Sequence, residues 1–399
     1  MRRVRFCILG AGPSGLAFAT ALAHAGCDSF VVLEKEAEAG GLCRSAEVDG
    51  APLDIGGGHF LDLRRRHVLD WLFHYLPETE WQAFDRVAKI RLRGVEIDHP
   101  LEGNLWQLPL AAQLDFLESV AQAGCVRGAA EPDLFEDWVK WKLGARIAEE
   151  YMLPYNRKIW SLPLSSLGAG WIHKLPAVSF RETLTSCLER RSGGSLPAHG
   201  RFLYPRKGGY GEVWRRMGVS LGERLLCGYR LKSIDIERRT IDDAILADTI
   251  VNTIPWPEWP QLAVLPEEIR STIDELVHTG ILVDYQPENL PSSAHWIYEP
   301  DESLPHHRQL LRHNFVVGAR GHWTETNAQR GRPTTSPRFV NEYAYPVATP
   351  SRDGAVAKVL AWARANRIVG LGRWGTWEHM NSDVAVEAGL TCAKDLWVS

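Results

Sequence analysis

Residues 6–45 read "FCILGAGPSGLAFATALAHAGCDSFVVLEKEAEAGGLCRS", and their interpretation decides the fold. Behind the basic start "MRRVR" they suit either a secretion signal or a cradle for a dinucleotide. A signal needs an unbroken apolar helix and a small-residue end, for which Ala23-His24-Ala25 would serve. Gly10, Gly12, Pro13, Ser14 and Gly15 interrupt that helix and point to a turn. The cradle accounts for every part. "VRFCILG" (4–10) predicts a short buried strand. Gly10-Ala11-Gly12-Pro13-Ser14-Gly15 fits G-x-G-x-x-G. Gly10 permits the tight turn, Gly12 admits a pyrophosphate, and Gly15 lets helix pack on strand. "LAFATALAHAG" (16–26) predicts a helix ending at Gly26, its N-terminus aimed at the phosphates. "SFVVLE" (29–34) predicts the next strand. It ends at Glu34, with Lys35 beside it, where an acid takes both ribose hydroxyls and disfavours a 2′-phosphate.

NAD and FAD share this fingerprint. Two features lengthen it: Gly40-Gly41 with Arg44, and Gly56-Gly57-Gly58 before His59. A second glycine pair admits close backbone approach to a long cofactor, and Arg44 suits its phosphate or ribityl oxygens. A plain loop is the other reading of the glycine cluster.

The 399-residue chain has a net charge of −4 and shows no field for nucleic acid or an anionic membrane. No window holds 18 unbroken apolar residues, so no membrane span is expected. Seven cysteines without a C-x-x-C pair suggest free thiols and a reducing cytoplasm. No H-E-x-x-H occurs, and His306 and His307 lack a carboxylate at ligand spacing, so no metal is expected. The 16 Trp residues suit core packing or the stacking of flat ligands.

Along the rest of the chain, residues 85–110 predict two or three short strands, "LWQLPL" (105–110) among them. Asp133–Met152 carries a helical apolar stripe that Pro154 should stop. "FLYPRKGGYGEVWRRM" (202–217) predicts an edge strand, a glycine turn and a helix. "TIVNTIPWPEW" (249–259) predicts a buried strand. Residues 278–345 are strand-like, with a long polar loop at 319–337. The C-terminal stretch predicts strand, glycine turn, loop and helix.

The N-terminal pattern G-x-G-x-x-G…E…GG-x-x-R resembles the FAD-dependent amine-oxidase and protoporphyrinogen-oxidase superfamily. Within it, "GGHF" (57–60), "YNRKIW" (155–160), "YPRKGGYGEVW" (204–214), "HHRQLL" (306–311), "NEYAYPV" (341–347) and "GRWGTWEHMNSD" (372–383) resemble, in this order, the UDP-galactopyranose mutases. The resemblance implies an α/β fold: a doubly wound, Rossmann-like FAD domain with an inserted helical layer and an antiparallel sheet domain. Its expected division gives 1–84, 201–277 and 346–399 to the FAD domain. It gives 85–110 and 278–345 to the sheet and 111–200 to the helical insertion on the substrate side.

The family interconverts pyranose and furanose forms of a nucleotide-linked sugar without net redox, by covalent catalysis at N5 of reduced FAD. An external reductant and a homodimer are further implications. Residue by residue, Arg308 matches the diphosphate-binding Arg. A second cation is expected after the Y-x-x-K-x-W segment, where Lys174 and Arg181 stand without aligning cleanly. Tyr155 and Trp160 match aromatic positions facing nucleoside and sugar; closing the helical layer is their plainer role. Tyr204 falls in a matched segment, and Tyr345 matches the tyrosine near the diphosphate. His59 and Gly58 belong to the flavin face, with Gly41 and Arg44. Arg373 matches the flavin contact. Asn381 and Ser382, with Asp383, suit the flavin or simply cap the last helix.

Two positions depart from the pattern: His379 replaces a Tyr, and Asp62 stands where bacterial mutases commonly have a His. Both suggest another sugar or another base, such as guanine. A flavin oxidase or desaturase acting on an amine, porphyrinogen or polyene would keep the same N-terminus but require an apolar tunnel. A non-catalytic FAD or NAD binder is the third possibility.

Overall fold

A computed structural model describes residues 1–169, 178–194 and 200–398. β1 (Arg2–Leu9), α1 (Pro13–His24) and β2 (Phe30–Leu33) form the opening β-α-β unit that the quoted stretch predicts. β1 is central in a parallel sheet. β2 and then 225–226 lie on one side of it, and 245–252 followed by 368–370 on the other. Two short antiparallel strands, 240–241 and 234–235, extend the sheet beside the start of 245–252. Both faces of β1 are covered. Phe6 and Ile8 pack with Leu16 and Phe18 of α1, while Cys7 and Leu9 face a cluster holding Trp256 and Trp259.

A second sheet of seven strands runs in the order 338–346, 278–286, 322–327, 306–310, 296–298, 88–92, 95–98. All its pairs are antiparallel except 296–298 with 88–92. Helices Leu110–Ala121, Phe135–Ile147 and Leu153–Trp160 share a core with Ile90, Leu92 and Ile97 and so cover the far end of this sheet. The chain is thus a mixed α/β fold: a Rossmann-like domain, an antiparallel sheet and a helical layer.

Four local expectations are corrected. "LWQLPL" forms a single 3₁₀ turn at Leu105–Gln107, not a strand. Arg201–Pro205 is the middle strand of a three-stranded sheet, between Leu61–Asp62 and Trp81–Asp85, not an edge. The expected polar loop at 319–337 contains a wholly buried strand, His322–Asn327; its Thr, Glu, His and Asn side chains hide it from a hydropathy reading. Pro154 does not stop a helix. The helix breaks at Gly144 (φ 78°, ψ 161°), passes through a π turn at 148–152, and restarts with Pro154 in its first turn. The backbone stays helical from the π turn into this segment, and that wider turn just before Pro154 accommodates a residue that donates no backbone hydrogen bond. No described helix is long and apolar enough to cross a membrane.

Candidate functional site

The cradle is built on α1. Gly12 caps it without a side-chain hydrogen bond, and Pro13 follows, so the first-turn N–H groups meet no capping side chain. Glu34 is buried and pins the loop. Its Oε2 accepts from Ala11 N at 2.7 Å and its Oε1 from Glu36 N at 2.9 Å. The second glycine pair closes over the first, with Gly40 N donating to Ala11 O at 2.8 Å. A Cβ on Gly41 would lie 3.1 Å from Gly12 Cα. Arg44 stands beside the cradle, its Nε on Gly41 O at 3.0 Å and its Nη1 on Glu36 at 3.2 Å. Lys35 is exposed and pairs with Glu258 at 3.3 Å.

From Gly56 and Gly58, a cavity of about 480 Å³ runs between the parallel-sheet domain, the antiparallel sheet and the helical layer. His59, Tyr155, Trp160, Arg308, Tyr345, Arg373, His379, Asn381 and Ser382 all line it. These residues come from five separate chain segments. Sheet register places three key groups in a row: Tyr298 opposite Arg308, and Arg308 opposite Glu325. The register shifts between His306 and Arg308, which is a bulge at His307. The bulge lets two consecutive residues, His307 and Arg308, line one cavity, which regular alternation forbids.

Glu325 is the group that sequence reasoning missed. It is fully buried and takes Arg308 Nε at 2.7 Å and Gly58 N at 2.6 Å, with His307 Nε2 at 3.7 Å. Burial alone would raise its carboxyl, but Arg308 and His307 hold it down at about 2. Burial works against the charge of Arg308, and Glu325 more than restores it, so the guanidinium is held above its usual range. No sequence signal marks Glu325, because a Glu inside "HWTETN" reads as surface polarity. Only strand pairing puts it behind Arg308.

His59 Nδ1 lies 3.0 Å from Gly57 O, a pure acceptor, so Nδ1 carries the proton and Nε2 is the bare acceptor of the neutral ring. Burial, reinforced by Arg373, pushes His59 down to about 4, so the ring is neutral near pH 7. Arg373 donates to Ala344 O at 2.8 Å and Met380 O at 2.7 Å, with its Cζ 5.7 Å from the Tyr345 ring centroid. Burial lowers its affinity for its proton, while remaining well within the charged range of a guanidinium. The Tyr345 ring is tilted against His379, centroids 5.0 Å apart, and edge-on to Trp160 at 6.2 Å. Trp160 Nε1 donates to Asn156 Oδ1 at 3.1 Å. Ser382 opens the last helix (Ser382–Val398), and its Oγ meets Tyr210 OH at 2.6 Å. Asp383 takes Arg65 at 2.6 Å.

Two substrate-side candidates, Tyr204 and Arg181, are not brought to the cavity. Tyr204 is fully buried beneath it, its hydroxyl committed to Asp54 at 3.0 Å. Arg181 is exposed on helix Phe180–Glu189 and does not line the cavity. Lys174 lies outside the described residues. In their place the cavity presents Arg64, Arg65 and Arg86. Asp62 does not line it either, and its carboxylate accepts from Arg64 Nε at 2.9 Å.

Residues 8–76 match the family described as NAD(P)-binding Rossmann-like domain. The structure is similar to that of reduced UDP-galactopyranose mutase, with a TM-score of 0.89 at 20% identity, covering 99% of this chain and 96% of that one. It is also similar to a provisionally named protoporphyrinogen oxidase from Exiguobacterium sp. 255-15, with a TM-score of 0.73 at 16% identity, covering 100% and 99%. In sequence, 135 residues are 31% identical to hydroxyneurosporene desaturase of Rubrivivax gelatinosus, covering 34% of this chain. The match spans only 24% of that relative's length. The chain therefore has the fold of UDP-galactopyranose mutase, built on a Rossmann-like dinucleotide domain.

Proposed function

We propose that the chain is an FAD-dependent mutase that interconverts pyranose and furanose forms of a nucleoside-diphosphate hexose. The observation that carries this reading is the set of guanidiniums on the cavity wall: five arginines (64, 65, 86, 308 and 373) line it, and although Asp62, Asp383 and Glu325 pair with Arg64, Arg65 and Arg308, Arg373 donates to two neutral carbonyls and keeps its charge. Such a wall suits a diphosphate and is a poor tunnel for a polyene.

The cradle residues fit FAD. Glu34 keeps lone pairs for ribose hydroxyls, the α1 N-terminus receives the pyrophosphate, and Gly56–His59 with Asn381 and Ser382 border the space beyond. Reduced FAD, when bound, supplies a nucleophile at N5 without net redox, and an external reductant keeps it reduced. The protein's own work is positioning and charge compensation. Arg308, its direction set by Glu325, and Arg373, anchored on two carbonyls, offset the charge of the departing diphosphate. Tyr345 sits between them and Trp160 and orients that diphosphate through its hydroxyl. Neutral His59 offers Nε2 as a proton acceptor at the edge of the cofactor space. Tyr155 and Trp160 supply flat faces for base and sugar. We place the enzyme in the cytoplasm and allow a homodimer through the helical layer.

A flavin oxidase or desaturase is the second reading, favoured by the local match to the desaturase and by apolar lining such as Phe60, Leu143, Met152 and Ile159. One experiment separates them. The purified holoprotein is reduced with dithionite, given UDP-galactopyranose and GDP-hexoses, and the products are resolved chromatographically. Furanose formation only in the reduced state is expected, and Arg308→Lys, which keeps the charge but loses the fork, should slow it by about 10²-fold. Oxygen uptake with an amine or polyene and no furanose would overturn the mutase reading.

A further inference from the structure

We propose that the helical-layer end of the cavity is a guanine subsite and that Glu102 selects the base; this rests on the nucleotide-sugar reading above. Carboxylates around the cavity are otherwise spoken for: Asp62 by Arg64, Asp383 by Arg65, Glu325 by Arg308. Glu102 lines the cavity at 5% exposure, and among the described residues its carboxylate makes no ion pair and no hydrogen bond with another side chain. A hydrogen bond from its own backbone and the charge of Lys142 do not offset the cost of its burial, and a ligand bearing donors lowers that cost.

The turn that presents Glu102 is built to stay put. Asn104 Nδ2 and Gly103 N both donate to Pro100 O, at 2.9 and 3.2 Å, and Gly193 N donates to Gly103 O at 2.9 Å. Aromatic rings surround the same end. Tyr298 lies 5.4 Å from Tyr155 and 5.1 Å from His99, and Tyr151 lies 5.8 Å from Tyr155. Trp138 and Trp296 complete the lining. A cation accompanies the acid: Arg86 contacts His99 Nδ1 at 3.0 Å and Tyr298 OH at 3.4 Å. Arg86, Glu102 and Tyr151 all line this one cavity. Tyr155 and Arg308 line the same cavity, which continues from this end to the proposed diphosphate cation.

A slot of flat rings with a carboxylate and a guanidinium has the chemistry of a base site. Burial raises the Glu102 carboxyl to about 7, and a pair of donors on a ligand favours its ionised form, which only accepts. Guanine presents N1–H and the N2 amino group side by side, two parallel donors for its two oxygens, with O6 beyond them for a cation such as Arg86. Uracil presents one N–H between two carbonyls, which a carboxylate repels. Adenine and cytosine each present one donor beside one acceptor. The acid therefore discriminates for guanine and against uracil.

The test is binding, measured apart from turnover. The flavin-loaded protein is titrated calorimetrically with GDP, IDP, UDP and ADP, and the flavin absorbance checks that each variant is folded. GDP is expected to bind at least about 10-fold tighter than UDP or ADP, with IDP, which lacks the 2-amino group, in between. Glu102→Gln should weaken GDP by about 10-fold or more and leave UDP within about 3-fold. UDP binding as tightly as GDP overturns the guanine subsite. So does a Glu102→Gln variant that weakens both alike or neither. The ranking of nucleotides by the unmodified protein decides the matter even if the variant does not fold. If UDP binds, depends on Arg308 and ignores Glu102, the mutase reading survives and the guanine subsite falls. If no nucleoside diphosphate binds, both fall.

Discussion

Asp54 is fully buried, yet its carboxylate accepts from Ser45 Oγ at 2.6 Å, from Tyr204 OH at 3.0 Å and from Tyr210 N at 3.1 Å. Burial outweighs these donors and raises it to about 7. In the unfolded chain the same carboxyl titrates near about 3.9. Between these values the folded protein holds a proton that the unfolded chain has released. The stability Asp54 contributes is therefore complete below about pH 4 and lost as pH rises through about 7. Asp54→Asn removes this dependence. Denaturant unfolding at a series of pH values should show the variant gaining on the wild type as pH rises from about 5 to about 8. The gain should be at most about 1.4 kcal/mol per pH unit; parallel curves would refute it. Tyr204 was legible as an aromatic in a matched segment, but its role was not. It holds this acid below the cavity rather than touching ligand.

At the level of elements, α1 separates two uses of glycine that G-x-G-x-x-G merges. A Cβ on Gly15 would lie 2.2 Å from Gly10 O, in the packing of helix on strand. A Cβ added at Gly12 would meet nothing within 4 Å, and its φ of −74° suits any residue. Gly15→Ala should destabilise the fold itself by about 1–3 kcal/mol. Gly12→Ala should leave the apoprotein's unfolding midpoint unchanged while cutting FAD uptake, read by absorbance after gel filtration. A Gly12→Ala variant that stays yellow would remove the cradle from the argument. The bulge at His307 shows what a linear pattern conceals. Alternation in "HHRQLL" assigns neighbouring side chains to opposite faces, whereas one register shift brings His307 and Arg308 to the same cavity. The strand His322–Asn327 was illegible for a related reason: its polar residues pair within the fold, Glu325 with Arg308 and Asn327 Nδ2 with Ile159 O at 2.6 Å.

Across the whole molecule, the cavity draws its wall from the antiparallel sheet, the helical layer and segments of the parallel-sheet domain as distant in sequence as Gly56 and Ser382. A ligand bridging them stabilises all at once. Adding FAD to apoprotein should raise the thermal midpoint with concentration, equivalent to about 2.7 kcal/mol at about 100 times Kd. A midpoint indifferent to FAD would argue against a bridging cofactor. The many Trp residues take both roles weighed from composition. Trp214, Trp256, Trp259, Trp323 and Trp377 are fully buried, and Trp138, Trp160 and Trp296 line the cavity.

The sequence by itself determined the opening β-α-β unit with its acid at Glu34, because strand, glycine turn and helix are neighbours along the chain and local sterics dictate their geometry. It also marked Arg308, Tyr345 and Arg373 as a group, though not why they converge. Tertiary structure alone decided that Glu325 directs Arg308, that Arg64, Arg65 and Arg86 rather than Arg181 line the cavity, and that Glu102 meets it with no ion pair among the described residues. Those facts depend on strand register and on packing between segments far apart in the chain. Burial and pairing of a charge are properties of its neighbours in space, which no local pattern of residues encodes.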